Sequence, residues 1–164
     1  MRGALFAVAF GLALPAFGYE INGVALGGKE GDVMRAFPSA HCKALEWKTD
    51  AADRRCDDAR VALGGAAAKI TVFLKAGVIQ GYDLSFEIRD LERVKAHLKS
   101  RWGAPLAEAT EVIARGDKAE RKVFKLRWEK GAERAILTAQ LDKKKRATLE
   151  VSRGNFPEAI YRVK

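Results

Sequence analysis

Residues 69 to 88 constrain the fold more than any other stretch of this chain. From Lys69 to Lys75, Ile70, Val72 and Leu74 take alternate positions. Ala76-Gly77 interrupts the pattern. It resumes from Val78 to Ile88, with Gln80, Tyr82, Leu84, Phe86 and Ile88 on one side and Asp83, Ser85 and Glu87 on the other. Successive side chains of a strand point to opposite faces, so the segment reads as an antiparallel hairpin with one buried face and one wet face. Phe73 falls on the wet side. A ring there is either covered by a helix or exposed for a partner, and a covering helix is the expected arrangement.

The same alternation returns further on. Phe124, Leu126 and Trp128 alternate with Lys125, Arg127 and Glu129; Ala135, Leu137, Ala139 and Leu141 share one face of a second strand, and Ala147, Leu149 and Val151 one face of a third. Turns are expected at Lys130 to Glu133, around Gly131, and at Lys143 to Arg146. Shorter strands are expected at Cys42 to Lys48, Ala59 to Leu63 and Glu111 to Arg115, with a polar loop over Thr49 to Asp58. Helical spacing occurs twice. Gly28 to Phe37 places Val33, Met34 and Phe37 together before Pro38, and Asp90 to Trp102 places Leu91, Val94, Leu98 and Trp102 together. Asp90 suits the N-cap of the second helix, while Gly103 and Pro105 suit its end. Runs of antiparallel strands beside segregated helices predict an α+β fold. The order helix then strands occurs twice. The expected architecture is therefore two helix-plus-antiparallel-strand units, residues 19–89 and 90–164, a degenerate tandem repeat with the helices packed on one sheet face.

Residues 1–18 stand apart. Arg2 is followed by an uncharged apolar run, Ala4 to Leu14, then by Pro15 and Ala16-Phe17-Gly18, with small residues at the −3 and −1 positions of a signal-peptidase site. This is the layout of a cleavable secretory signal, with cleavage near Gly18. The run is shorter than the ~20 residues a membrane helix needs, and no later stretch offers a transmembrane span. The expected compartment is the periplasm, with secretion as the alternative. Cys42 and Cys56 are the only cysteines. In an exported chain such a pair reads as a disulfide.

Charge narrows the partners. The chain carries a formal net charge of +9, and the excess is uneven: 13 basic against 12 acidic residues from Tyr19 to Ser100, but 16 against 9 from Arg101 to Lys164. An anionic envelope component or an acidic protein face suits that asymmetry, and nucleic acid does not suit an exported protein. Lys125, Arg127, Lys143, Lys144, Lys145 and Arg146 form the candidate binding surface, the alternative being a solvated basic face and hairpin tip that serve solubility and discourage edge aggregation.

The remaining motifs carry little chemistry. Gly23-x4-Gly28-Lys29 approaches a phosphate-binding loop, but Glu30 stands where that loop needs Ser or Thr, so a turn into the first helix is the better reading. His41, Cys42, Cys56 and His97 are of zinc-ligating type, yet their spacing matches no compact site. Asp53, Asp57 and Asp58 lie among arginines and lack the spacing of a calcium loop. No serine occupies a nucleophile-elbow pattern. No catalytic residue, metal or cofactor is assigned, and the chain is not read as an enzyme.

Gly27-Gly28 through Val33 to Phe37-Pro38, and Val94-x3-Leu98-x3-Trp102-Gly103-x-Pro105, each precede alternating strands with a Gly turn. This layout resembles the small envelope proteins of the SmpA/OmlA (BamE) type and the β-lactamase-inhibitor proteins, although the lipobox Cys of the envelope lipoproteins is missing. The resemblance implies a helix-plus-meander fold and a binding role, and it transfers no functional residue. The expected function is that of a non-enzymatic periplasmic binding or scaffold protein contacting an envelope protein or anionic surface. The alternatives are an inhibitor of an envelope enzyme and a small envelope enzyme. Oligomeric state is left open.

Overall fold

The computed structural model describes residues 18–116, 118–142 and 145–162. The signal segment lies outside them except for Gly18, as do Lys143 and Lys144. A small ribbon of β1 (Glu20–Ile21) and β2 (Val24–Ala25) leads into α1 (Glu30–Ala36) and then β3 (His41–Ala44), β4 (Arg54–Leu63), β5 (Ala66–Lys75) and β6 (Val78–Glu87). A 3₁₀ turn (Ile88–Asp90) and α2 (Leu91–Trp102) are followed by β7 (Ala107–Arg115), β8 (Lys118–Lys130), β9 (Glu133–Gln140), β10 (Arg146–Arg153) and α3 (Phe156–Ala159). The fold is mixed α and β, dominated by one antiparallel eight-stranded sheet in the order β3-β4-β5-β6-β10-β9-β8-β7. β6 and β10 join its two halves through a ladder from Gly81–Ser152 to Glu87–Arg146.

Strand parity builds the core. Three rows of inward side chains cross the sheet: Ile70, Leu84, Leu149, Leu137 and Leu126; Val72, Tyr82, Val151, Ala135 and Trp128; Ala68, Phe86, Ala147, Ala139 and Phe124. Ala135, Ala139 and Ala147 pair with Trp128, Phe124 and Phe86 across the ladders, so small residues stand beside the large rings. Val33 and Phe37 of the α1 region and Leu91, Val94 and Leu98 of α2 close this inner face. The Tyr82 hydroxyl donates to the Val24 carbonyl (2.7 Å) and ties the β1–β2 ribbon over the core. Burial, reinforced by Glu133 and Asp32, holds its ionisation far above the usual tyrosine range. Among the described residues no helix is long and apolar enough to cross a membrane.

Several expectations shift. The helices are few and short, and α3, which no periodicity announces, packs on the opposite face from α1 and α2. It covers Phe73, which is 3% exposed and has its ring 5.4 Å from Phe156. Gln80 does not face the core: Leu74 pairs with Ile79 and Phe73 with Gly81, so Gln80 is the extra residue of a bulge and Ile79 turns inward instead. Met34 and Leu141 are exposed rather than buried. β3 stops at Ala44, whereas Arg54 to Asp58, expected in a loop, belong to β4. Asp90 occupies the N-cap of α2 without capping it, and lies 3.6 Å from Arg93 instead.

Candidate functional site

Cys42 and Cys56 face each other in the β3–β4 ladder and are joined as a disulfide. The bond pins a four-residue edge strand to the sheet. It also removes both sulfurs from any ligand set, although Glu30 lies beside them. His41 is exposed on β3, while His97 on α2 rests against the Gly64 turn, where even a methyl group would collide with its ring. The three aspartates are each engaged separately. Asp53 accepts the Ala76 N–H, Asp57 the Thr71 hydroxyl, and the buried Asp58 the Ser39 hydroxyl and the Arg60 N–H. At the loop entering α1, the Lys29 N–H donates to the Asp32 carboxylate (2.8 Å), which stands where a phosphate would otherwise be held.

The sheet face opposite α1 and α2 gathers the polar phase of every strand. One row runs Lys69, Ser85, Thr148, Thr138, Lys125 and Ala109; the next runs Thr71, Asp83, Glu150, Ile136, Arg127 and Ala107. Of the sequence-chosen cations, Lys125, Arg127 and Arg146 are brought to this face. Lys145 is exposed at the β9–β10 connection, where its carbonyl accepts the Ile88 N–H (3.4 Å), and Lys143 and Lys144 lie outside the described residues. The three cations are not a bare positive field. Lys125 Nζ meets Glu111 at 2.8 Å, Arg127 Nε meets Glu129 at 2.9 Å, and Arg146 donates to Ser85 Oγ at 3.0 Å. The face is thus hydroxyl-rich, with interleaved charges of both signs.

One end of it is roofed. Phe156 and Ile160 pack on Phe73 and Ala52, with Leu45, Trp47 and Ala51 around them. The loop between β3 and β4 holds this roof by its carbonyls: Trp47 Nε1 donates to Ile160 O and Thr49 Oγ1 to Ala159 O, both at 2.7 Å. Gly81 permits the close approach, since a Cβ there would come within 2.6 Å of the Phe156 ring. Trp47 and Tyr161 stack at the rim, with ring centroids 6.2 Å apart.

Under the rim sits a carboxylate pair. Asp83 and Glu150 are direct partners in the β6–β10 ladder. Burial first, and the Glu150 charge second, push the Asp83 carboxyl up to about 6, while the Tyr161 hydroxyl, donating from 3.4 Å, opposes this. Asp83 can therefore hold a proton in mildly acidic solution. The space beside it, about 30 Å³, is the size of a single water rather than of an organic substrate. Sequence reasoning missed Trp47, Glu150 and Tyr161 altogether and saw Asp83 only as an outward residue. The polar phase of β6 and β10 marks both acids, but their pairing depends on a ladder between strands about sixty residues apart in the chain. No family model matches the chain, and neither a curated protein nor a solved structure was found to resemble it.

Proposed function

We propose that this chain is an exported, non-enzymatic binding or scaffold protein that works in the periplasm and contacts an envelope protein through the face opposite α1 and α2. The observation that carries the reading is the chemistry of that face. A long strip of Ser, Thr and alternating charges, bordered by the Trp47–Tyr161 stack, offers a protein partner directional hydrogen bonds and aromatic anchors. The interleaving of Glu111, Glu129 and Glu150 with Lys125 and Arg127 favours a partner of mixed charge over a uniformly anionic lipid or polymer.

The finer architecture belongs to the same proposal. Residues 19–89 and 90–164 form two helix-plus-meander units whose last strands, β6 and β10, meet at the centre. The mirror order β3-β4-β5-β6 and β10-β9-β8-β7 supports it, as does the resemblance to the SmpA/OmlA-type and β-lactamase-inhibitor proteins. The inhibitor reading is favoured by one observation, the row Ser85, Thr148 and Thr138 beside the aromatic rim.

Crosslinking in cells, followed by capture of the mature protein, tests the proposal. One dominant envelope protein is expected, and its yield should fall at least tenfold in the double variant Lys125→Glu, Arg127→Glu. An enzyme activity in that protein which the chain suppresses would select the inhibitor reading. Recovery only with membranes, abolished by salt, would replace the protein partner with an anionic surface.

A further inference from the structure

We propose that hydrolysis of the Gly18–Tyr19 bond creates an N-terminal ammonium on Tyr19 that is held by the Glu133 carboxylate, so that processing itself completes the fold at this corner. The inference rests on the export reading and not on the binding face.

The geometry is already set at the bond in question. The Tyr19 backbone N donates to Glu133 Oε2 at 2.9 Å, across 114 residues of chain. Neither partner is loose. Tyr19 is 6% exposed, and its ring lies 5.0 Å from Trp102, which in turn meets Trp128 edge-on at 5.5 Å. Glu133 opens β9 and is paired across the ladder with Arg153 and, on the other side, with Lys130. The acceptor is therefore aimed by the sheet register and the donor by an aromatic stack.

Cleavage changes what that bond is. Water adds across the peptide bond; Gly18 departs with a carboxylate, and Tyr19 keeps its nitrogen as an ammonium. A neutral amide donor becomes a charged one facing the same oxygen, and charge-assisted hydrogen bonds are roughly twice as strong as neutral ones. Gly18 lies close against the acceptor and leaves no room for a side chain, since a Cβ on residue 18 would overlap the Glu133 carboxylate. Its departure clears the space for the additional ammonium protons. A glycine at this position suits both demands: a small residue for signal peptidase at −1, and no side chain against Glu133. A hollow of about 530 Å³, lined by Tyr19, Arg101, Trp102 and Lys130 among others, opens beside the bond and gives water access to the new terminus.

The pH behaviour follows in sign. An unfolded α-ammonium titrates near ~7.7–8.0, and a carboxylate partner raises that value in the fold. The stabilisation is then complete below about pH 7.7 and is lost as pH rises through the folded value. The other ionisable groups around the terminus are the Tyr19 hydroxyl, Glu129, Lys130, Arg153 and the Glu20–Arg101 ion pair.

Two measurements test this. Intact mass of the protein recovered from the envelope of a bacterium expressing the full chain should place the N-terminus at Tyr19. Then four purified proteins are compared by thermal melting: one starting at Tyr19, one that keeps Phe17-Gly18 ahead of Tyr19, and the Glu133→Gln variant of each. The expected result is a Tm drop of roughly 3–6 °C for Glu133→Gln in the form starting at Tyr19, a smaller drop in the extended form, and a difference that vanishes above about pH 10. Export with cleavage at another bond, or an equal drop in both forms, overturns the proposal and leaves the export reading standing. Retention of an uncut chain in the cytoplasm overturns both.

Discussion

The two faces of one sheet obey opposite rules. On the inner face, rows such as Ile70, Leu84, Leu149, Leu137 and Leu126 are closed over by α1 and α2, and nearly every side chain is inaccessible. On the outer face the same strands present Lys69, Ser85, Thr148, Thr138 and Lys125, and among the described residues one end is covered, by α3 and the loop that holds it. Stability is concentrated on the first face by area removed from water. The second contributes little to stability and carries the groups that can recognise a partner, so substitutions on the two faces should separate folding from binding.

The largest expected effect lies inside. Leu137→Ala, at the centre of a fully buried row, should cost about 2–5 kcal/mol in denaturant unfolding; a loss below about 1 kcal/mol would deny that the inner rows carry the fold. Next is the disulfide. Replacing Cys42 and Cys56 by Ser should cost about 3 kcal/mol, since the bond closes a loop with a sequence separation of 14.

Asp83 blurs the comparison, because it is an outer-face group that the roof partly buries. Its carboxyl titrates at about 6, above the ~3.9 of an unfolded aspartate, so the folded state binds the extra proton between those values. Stability should therefore fall as pH rises from about 4 to about 6. Asp83→Asn should remove that fall and stabilise the protein at pH 7 by about 1–3 kcal/mol, read from urea midpoints at several pH values. The smallest effect belongs to the open part of the face. Lys125→Ser and Arg127→Ser should each change stability by less than about 1 kcal/mol, since exposed ion pairs contribute little, while weakening partner capture.

Local pattern made much of this legible. Alternation found the β5–β6 hairpin and the inner phase of β8, β9 and β10, and helical spacing with Gly103 found α2. The expectation of export, with two cysteines in the chain, made the Cys42–Cys56 pair readable. What escaped was non-local or short. Gln80 continues the alternation in sequence, and only the partner strand reveals the bulge. α3 is a single turn with Pro157, too short for any period, and its place is set by Phe73, Trp47 and Thr49. The Asp83–Glu150 pair exists only because β10 returns to β6. The basic surface was half visible: the strand cations do share a face, but the carboxylates that interleave with them come from β7 and β8.

Photo-crosslinking from single positions in living cells is the most direct test of the central claim. A photoreactive residue at Thr148 or Thr138, on the open outer face, should give one discrete adduct with an envelope protein, and the same residue at Glu92 or Lys99, on α2, should give none. Equal adducts from both faces, or adducts from α2 alone, would contradict the assignment of binding to the outer face.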